Sequence, residues 1–316
     1  MTSGQQPLVS ILTPAYNEER YIEKCIESVL SQTYSHWEHT IVDNCSVDGT
    51  LQIARRYAAR DPRIRVVTND SCVPVVANYN IAFRQISRES KYCNLLAADD
   101  WIYPDCLEKM VLLAEAHPKV AIVGSYKFMG TKLNTKGLVF PTTVASGREV
   151  CRDYLSTGGP YIFGGLLYRA DIVRSRHAFF NEQHLHADVE VCLEFLEHYD
   201  FGFVHQILTF ICTREGSLSA EARGKNARLS EKLEMLLTFG PKYFDEAELK
   251  QCIANHMVAY YNFLGSEVGK RRVPQFWSFH REQLAALNHP ISWMRVFINA
   301  ILHAIEASAR HLRRKA

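Results

Sequence analysis

The pattern that most constrains the fold is a fourfold alternation of short apolar runs with helical stretches in the first hundred residues. Strand-like runs are predicted at residues 9–12, 40–42, 64–67 and 95–97. Helical patterns follow the first three runs and begin near Asn17, Thr50 and Pro74. Strands that alternate with crossover helices form parallel sheets. The sequence therefore predicts an α/β fold with a mostly parallel central sheet and helices on both faces.

Polar side chains follow two of these runs at the point where each strand is expected to end. Tyr16 and Glu18 follow the first run, and Asp99 and Asp100 follow the fourth. Ligands of open parallel sheets bind at the carboxyl ends of the strands. Adjacent carboxylates at such a place favour a bound cation, because unpaired charges are costly away from water. The first interpretation is a phosphate-bearing ligand held through a divalent metal.

The common phosphate-binding loops are missing from the sequence. No segment matches the dinucleotide-binding pattern Gly-x-Gly-x-x-Gly, and none matches the Gly-Lys-Ser/Thr of a phosphate loop. A nucleotide would therefore have to be held in another way.

Five segments, taken in order, resemble the family 2 glycosyltransferases of the GT-A fold. They are Thr13–Glu18, Ile41–Thr50, Asn78–Ala82, Asp99-Asp100 with Pro104, and Asp188 with the helix that follows it. The similarity covers roughly residues 7–220. It implies an inverting enzyme that moves a sugar from a nucleotide diphosphate donor to an acceptor hydroxyl. It also divides the chain into a catalytic domain at 1–222 and a helical C-terminal extension at 223–316.

The donor nucleotide is expected between the first two strand ends. Tyr16 offers a flat face on which a base can stack, and Asp43 offers an acceptor for the imide N–H that uracil and thymine carry and adenine lacks. The resemblance makes Asp43 the residue that recognises the base of a UDP- or dTDP-sugar. The other donor contacts that it implies are Thr13, Pro14, Glu18, Asn78, Asp99 and Arg214. An ordinary half-buried tyrosine, a turn carboxylate and a surface arginine are the structural alternatives for Tyr16, Asp43 and Arg214.

Asp99, with Asp100, is the candidate metal site. Mg²⁺ and Mn²⁺ prefer carboxylate oxygens and bind one or two of them together with substrate phosphates. The cation would neutralise the diphosphate as it leaves. The family pattern usually has Asp-x-Asp-Asp, and Ala97 occupies the place of its first aspartate. The alternative is that the two aspartates only precede and cap the helix near Pro104.

Asp188 is the candidate catalytic base. Inverting transfer needs a base that takes the proton of the acceptor hydroxyl. The family commonly has Glu-Asp here, whereas this chain has Ala187-Asp188 and lacks the supporting carboxylate next to the base. His186 or Glu190 would have to take over that supporting role. Glu182 is a rival carboxylate, and a simple helix cap is the structural alternative. On the acceptor side the resemblance also implies Gly164, Gly165 and His186.

Two other classes of protein stay open at this point. A sugar nucleotidyltransferase would need a glycine-rich basic loop after the first strand, and Pro14–Asn17 is not such a loop. A non-catalytic sugar-nucleotide-binding protein is favoured by Ala97 and Ala187. It is disfavoured because all four candidate aspartates remain.

Composition adds expectations about compartment and partners. The nine cysteines form no Cys-x-x-Cys pair, which favours reduced thiols over a disulfide framework. The first residues are polar and do not form a signal peptide, so a cytoplasmic protein is expected, with a possible peripheral position at the inner face of the membrane. The formal net charge of +2 identifies no partner, and no nucleic acid is expected. The resemblance implies a glycan or lipid-linked acceptor and a role in surface-polysaccharide or related glycan synthesis.

The C-terminal segment has its own pattern. Between Ile291 and Arg310, polar residues recur at steps of four, four, three and four and form one narrow stripe, while most other positions are apolar. Arg313, Arg314 and Lys315 follow. Such a helix is typical of one that lies in the plane of a membrane surface. Packing on the catalytic domain or in a homodimer seam stays open.

Overall fold

The computed structural model describes residues 6–160, 162–184, 187–214, 226–269 and 274–313, with side chains described as far as residue 306. The chain divides after Thr213 into two compact units. The first holds the central sheet and the second is helical over its described residues.

The first unit is built around one sheet. Its strands are β1 (Val9–Ala15), β2 (Trp37–Asp43), β3 (Ile64–Thr68), β4 (Tyr92–Leu95), β5 (Trp101–Ile102), β6 (Val120–Met129), β7 (Lys132–Asn134), β8 (Val144–Ser146), β9 (Leu167–Arg169) and β10 (Asp200–Ile211). Their order is β3-β2-β1-β4-β9-β6-β10-β5, with β7 paired to β6 and β8 paired to β10. Strands β3, β2, β1 and β4 are parallel, while β9 is antiparallel to both β4 and β6.

Seven described helices belong to this unit. They are α1 (Ile22–Leu30), α2 (Thr50–Ala58), α3 (Val75–Phe83), α4 (Cys106–Ala116), α5 (Gly147–Thr157), α6 (Ala170–Arg174) and α7 (Ala187–Phe195). The spacing of apolar residues in α1 buries Ile22, Cys25, Ile26 and Val29 in the core beneath the sheet. Helix packing of this kind covers the parallel half of the sheet, as the alternation in the sequence predicts.

The predicted fold class is confirmed, with two local differences. The fourth strand ends at Leu95 and not at Ala97, because Asp100 N donates to Ala97 O at 2.9 Å and closes a turn there. The two strand-like runs that the sequence also shows, at residues 201–203 and 207–212, lie almost entirely in the single strand β10. Its pairing with β6 shifts register between Val204 and Ile207, so the interruption is an irregularity inside one strand.

The second unit contains the helices α8 (Arg228–Tyr243), α9 (Glu246–Glu267), α10 (Pro274–Ala286) and α11 (Trp293–Arg313). Asp245 begins α9 with a capping box, in which its side chain accepts from Glu248 N. A small core around Leu233, Tyr260 and Leu264 holds these helices together. Of the helices that the structure describes, none combines the length and apolar character needed to cross a membrane.

Candidate active site

The loops after β1 and β2 are joined to one another at the carboxyl edge of the sheet. Asn17, which has a positive φ of 55°, donates its N–H to Ser46 Oγ at 3.0 Å and accepts from Val47 N at 2.9 Å. Glu18 N donates to Thr50 Oγ1 at 2.7 Å. Tyr16, which immediately precedes these anchored residues, is 47% exposed, so that its ring is available to a ligand.

Asp43 lies beside this loop pair. Its Cα is in register with that of Ala15, so β1 and β2 end at the same level. The carboxylate is fully buried, and Ser46 N lies 3.3 Å from each of its oxygens. A buried carboxylate held by a long backbone contact retains lone pairs for another donor.

Three predicted donor contacts lie below the surface of this edge. The Thr13 hydroxyl is buried and lies 2.8 Å from His39 Nε2, and Pro14 is buried within β1. Asn78 is 3% exposed and accepts from Asn69 Nδ2, which also donates to Asn44 Oδ1, both at 2.9 Å. Thr13 and Asn78 are therefore engaged in hydrogen bonds with other side chains at this edge.

Four carboxylates lie within electrostatic range of one phenol. Tyr79, on α3, interacts electrostatically with Asp100, Asp99, Asp188 and Glu18, and burial together with these negative charges raises its pKa. The phenol therefore keeps its proton and can donate a hydrogen bond in the midst of the carboxylates. Residues that are far apart in the sequence thus lie within electrostatic range of a single hydroxyl.

The donor set of the aspartate pair fits a hard divalent cation. Asp100 is 9% exposed, and burial followed by the charge of Asp99 raises the pKa of its carboxyl well above its usual range. Cys212 N donates to Asp100 Oδ1 at 2.7 Å and opposes this shift. Within the described residues no group of three or more His, Cys, Asp or Glu side chains is arranged to hold a metal. The two carboxylates therefore fit an ion that takes its other ligands from a bound diphosphate or water.

Lys127 is a buried cation next to this cluster. It is 2% exposed in β6, and its Nζ donates to Phe163 O at 2.7 Å and to Gly164 O at 2.6 Å. Burial lowers its pKa to about 8, against the opposing charges of Asp188 and Asp100. Lys127 therefore connects the glycine-bearing segment with the carboxylates.

The two glycines of that segment cannot easily be replaced. Gly164 and Gly165 have φ angles of 66° and 63°, which favour glycine. A Cβ at Gly165 would also lie 2.6 Å from Thr209 Cγ2. The backbone can follow this path only because both side chains are absent.

Asp188 lies in the first turn of α7 and is partly exposed, and its Oδ1 accepts from Val189 N at 2.9 Å. Asn80 fixes residues 180–182, which come before α7 in the chain. This buried side chain donates to Phe180 O at 2.9 Å and accepts from Phe180 N at 2.8 Å. It also donates to Glu182 Oε1 at 3.0 Å, so the rival carboxylate Glu182 takes part in holding this segment.

The remaining candidates near α7 have separate surroundings. Glu190, 9% exposed, forms a hydrogen bond with His184 Nδ1. His186 lies outside the described residues. Arg214 is the first residue of the second unit and is half-buried.

Tyr79, Asn80 and Lys127 received no role from the sequence alone. Tyr79 and Asn80 lie in a segment that the sequence marks only by its resemblance. Lys127 has a usable signal, since it is the one charged residue within the apolar run Val120–Met129. A lone lysine in a buried strand is costly without acceptors, so it points to a paired or functional group.

The strand order and the position of the aspartates define a GT-A type of nucleotide-sugar transferase fold. The sequence profile described as glycosyl transferase family 2 matches residues 10–172, which is more than half of the chain. The chain belongs to this family.

Individual relatives agree with this assignment. The putative glycosyltransferase EpsE of Bacillus subtilis is 30% identical over 201 residues, which cover 62% of this chain and 69% of EpsE. The putative teichuronic acid biosynthesis glycosyltransferase TuaG of the same organism is 41% identical over 106 residues, 34% of this chain and 41% of TuaG. The matched part of TuaG is thus less than half of that protein.

A solved structure extends the agreement to the fold. S. aureus TarS 1-349, in complex with UDP-GlcNAc, superposes with a TM-score of 0.65 at 17% sequence identity. The match covers 93% of this chain and 87% of the TarS chain. At this identity the likeness establishes the fold alone.

Proposed function

We propose that this protein is an inverting glycosyltransferase that moves a sugar from a UDP- or dTDP-sugar to a hydroxyl of a glycan or lipid-linked acceptor, with a divalent metal. The observation that carries the proposal is that Glu18, Asp99, Asp100 and Asp188, which come from distant parts of the sequence, lie within electrostatic range of one side chain, Tyr79. The names of relatives support a role in polysaccharide synthesis, since TuaG is named for teichuronic acid.

The nucleotide would lie over the ends of β1 and β2. There the exposed ring of Tyr16 offers a stacking surface, and the buried Asp43 offers an acceptor for the imide N–H of the base. The UDP-GlcNAc bound to TarS supports a uridine donor. Adenine presents no imide proton to such an acceptor, so this site would reject it.

The diphosphate would lie next to Asp99 and Asp100, which would hold Mg²⁺ or Mn²⁺. When bound, the cation supplies charge neutralisation to the diphosphate leaving group. Cys212 N donates to Asp100 Oδ1, so that oxygen has one lone pair fewer for an ion.

Asp188 would take the proton of the acceptor hydroxyl. It lies in the first turn of α7, and the ammonium of Lys127 lies within electrostatic range of its carboxylate. Asn80 fixes Phe180, earlier in the same part of the chain. The same ammonium holds Phe163 O and Gly164 O, so the base and the glycine segment would share one support. This arrangement suits a base on the acceptor side of the sugar.

A donor panel tests the proposal. The purified chain is incubated with UDP-, dTDP- and GDP-sugars, with Mg²⁺ or Mn²⁺ and with EDTA, and nucleoside diphosphate release is measured. We expect slow release from one uridine or thymidine donor, and its loss with EDTA. Tight binding of a donor without release in the presence of any acceptor would favour a non-catalytic binding protein. Formation of a nucleotide sugar from sugar phosphate and nucleoside triphosphate would favour a nucleotidyltransferase.

Asp99→Asn tests the metal site within the same assay. The substitution removes the charge but keeps the shape, so metal-dependent release should disappear while the fold is retained. Asp105→Asn is the matched control, since Asp105 forms a surface pair with Lys109 and such pairs contribute little. Retention of more than about a tenth of the activity, a barrier change below roughly 1.4 kcal/mol, would remove Asp99 from the proposed ligands.

A further inference from the structure

Helix α11 packs on α9 through the side that carries Val296 and the polar residues Asn299 and His303. His303 Nε2 donates to Asn262 O at 3.0 Å, and Asn299 lies so close to Gly265 that a Cβ on that glycine would be 2.5 Å from Asn299 Cβ. The neighbouring Val296 is fully buried. The polar side of the helix is therefore the side that meets the rest of the second unit.

The apolar side of α11 faces outward. Seven large apolar side chains follow one another at spacings of one and three residues in turn, which places them on one face of the helix. They are 43% to 71% exposed. They are Trp293, Met294, Phe297, Ile298, Ile301, Leu302 and Ile305. Surface helices normally bury their apolar stripe and expose the polar one, so this helix is inverted with respect to the usual arrangement. A contiguous exposed apolar face of this kind marks an interaction site.

The charge of the same segment is strongly one-sided. Residues 293–316 contain five Lys or Arg and a single acidic residue, Glu306. Three of the basic residues, Arg313, Arg314 and Lys315, are consecutive. A surface that attracts this segment should therefore be negatively charged.

We propose that the outward face of α11 inserts into the interface of an anionic lipid bilayer. An apolar face combined with Lys and Arg is what a helix needs to lie at the level of acidic headgroups. A second copy of the chain matches less well, because apposed α11 faces would bring two basic segments together with only Glu306 from each to offset them. The proposal goes beyond the proposed transferase activity and does not depend on it.

Co-sedimentation of the full chain with vesicles tests this surface. Neutral phosphatidylcholine vesicles are compared with vesicles that contain about one third phosphatidylglycerol, at low and at high salt. We expect binding to the anionic vesicles that weakens at high salt, because screening shortens the reach of the basic residues. Arg313→Gln/Arg314→Gln/Lys315→Gln should lower the partition coefficient at least about tenfold.

A matched pair of variants distinguishes vesicle binding through this face from nonspecific adsorption by any exposed apolar side chain. Ile298→Asp/Ile301→Asp introduces charge into the exposed face and should lower vesicle binding at least about tenfold. Leu112→Ser is the control, since Leu112 is 70% exposed on α4 and should leave binding unchanged. Circular dichroism checks that each variant is folded.

Quenching of Trp293 gives a readout that does not depend on those variants. Lipids brominated in the acyl chain should quench its fluorescence in anionic vesicles, and Trp293→Phe should remove most of this quenching.

Equal binding by the parent and Ile298→Asp/Ile301→Asp would overturn the proposal. The proposal would also be overturned if the parent did not bind anionic vesicles at low salt. If light scattering then showed that the parent is a dimer and the Ile298→Asp/Ile301→Asp variant a monomer, the face would be a dimer interface.

Discussion

At the scale of single residues, the site is a balance of crowded negative charge. Glu18, Asp99, Asp100 and Asp188 lie within electrostatic range of the Tyr79 phenol, and burial together with Asp99 raises the pKa of the Asp100 carboxyl. Like charges at this range disfavour one another, so positive charge is needed to keep them ionised. Lys127 provides one such charge, and a metal with the donor would provide another.

Asp188→Asn should remove transfer and leave donor binding nearly unchanged. The proposed base acts on the acceptor hydroxyl and not on the nucleotide, and loss of a general base typically lowers the rate about 10²–10⁴-fold. Transfer assays and calorimetric titration with UDP measure the two effects. Glu182→Gln is the control, because Glu182 is engaged by Asn80. If donor affinity fell as much as the rate did, Asp188 would belong to the donor site.

Lys127→Met should lower transfer about tenfold or more while the protein stays folded. The substitution keeps the apolar length of the side chain but removes the bonds to Phe163 O and Gly164 O and a positive charge near Asp188. Buried acceptors left without their donor disturb the segment that carries them. Steady-state kinetics should show a fall in kcat, and Lys132→Met on the exposed strand β7 should not. Unchanged kcat in Lys127→Met would make the lysine a purely structural group.

At the scale of elements, the pair β1–β2 contains a buried histidine that makes the stability of the fold depend on pH. His39 is fully buried, its Nε2 lies 2.8 Å from Thr13 Oγ1, and burial lowers its pKa to about 3 from 6.5. The imidazole of His39 therefore stays neutral in the folded state, whereas in the unfolded chain it binds a proton below about pH 6.5. The stability that this neutral histidine contributes is present above that pH and is lost as the pH falls towards 3.

His39→Gln should therefore flatten the acid side of the stability profile. Between pH 7 and 5 the parent should lose roughly 2 kcal/mol of unfolding free energy through this group, whereas glutamine has no proton to gain. Urea denaturation at a series of pH values measures the difference between the two slopes. His117→Gln on the surface is the control, and identical slopes for His39→Gln and the parent would mean that His39 is not buried neutral.

At the scale of the whole molecule, the chain consists of two compact units that divide after Thr213. Each has its own cluster of buried apolar residues, one around the sheet and one among α8, α9, α10 and α11. A unit with its own core can in principle fold alone. The candidate donor residues of the first unit would then bind nucleotide without the helical unit.

A fragment of residues 1–222 should fold and bind UDP within a few-fold of the affinity of the full chain. The fragment keeps the whole sheet and also Arg214. Its thermal transition should be cooperative by circular dichroism, and calorimetry should give the affinity. An aggregated fragment, or a folded one without UDP binding, would show that the helical unit is needed for the site.

The sequence by itself determined the alternation of strands and helices and the polar residues at the strand ends. The helix spacing of Ile22, Cys25 and Val29 and the apolar runs before Tyr16 and Asp99 depend on local periodicity, which any fold must respect. The family resemblance named the acidic residues that the structure brings around Tyr79. Long-range position was available only through that resemblance.

Only the tertiary structure decided where side chains point and what they touch. Thr13, Pro14 and Asn78 lie at the predicted edge, yet all three are buried there, and Thr13 and Asn78 are hydrogen-bonded to side chains of other elements. Lys127 and Asn80 acquire roles through residues far away in the chain. The periodicity of the sequence showed that α11 has a polar and an apolar face. It did not show which face is turned inward, and the packing of Asn299 and His303 against α9 shows this.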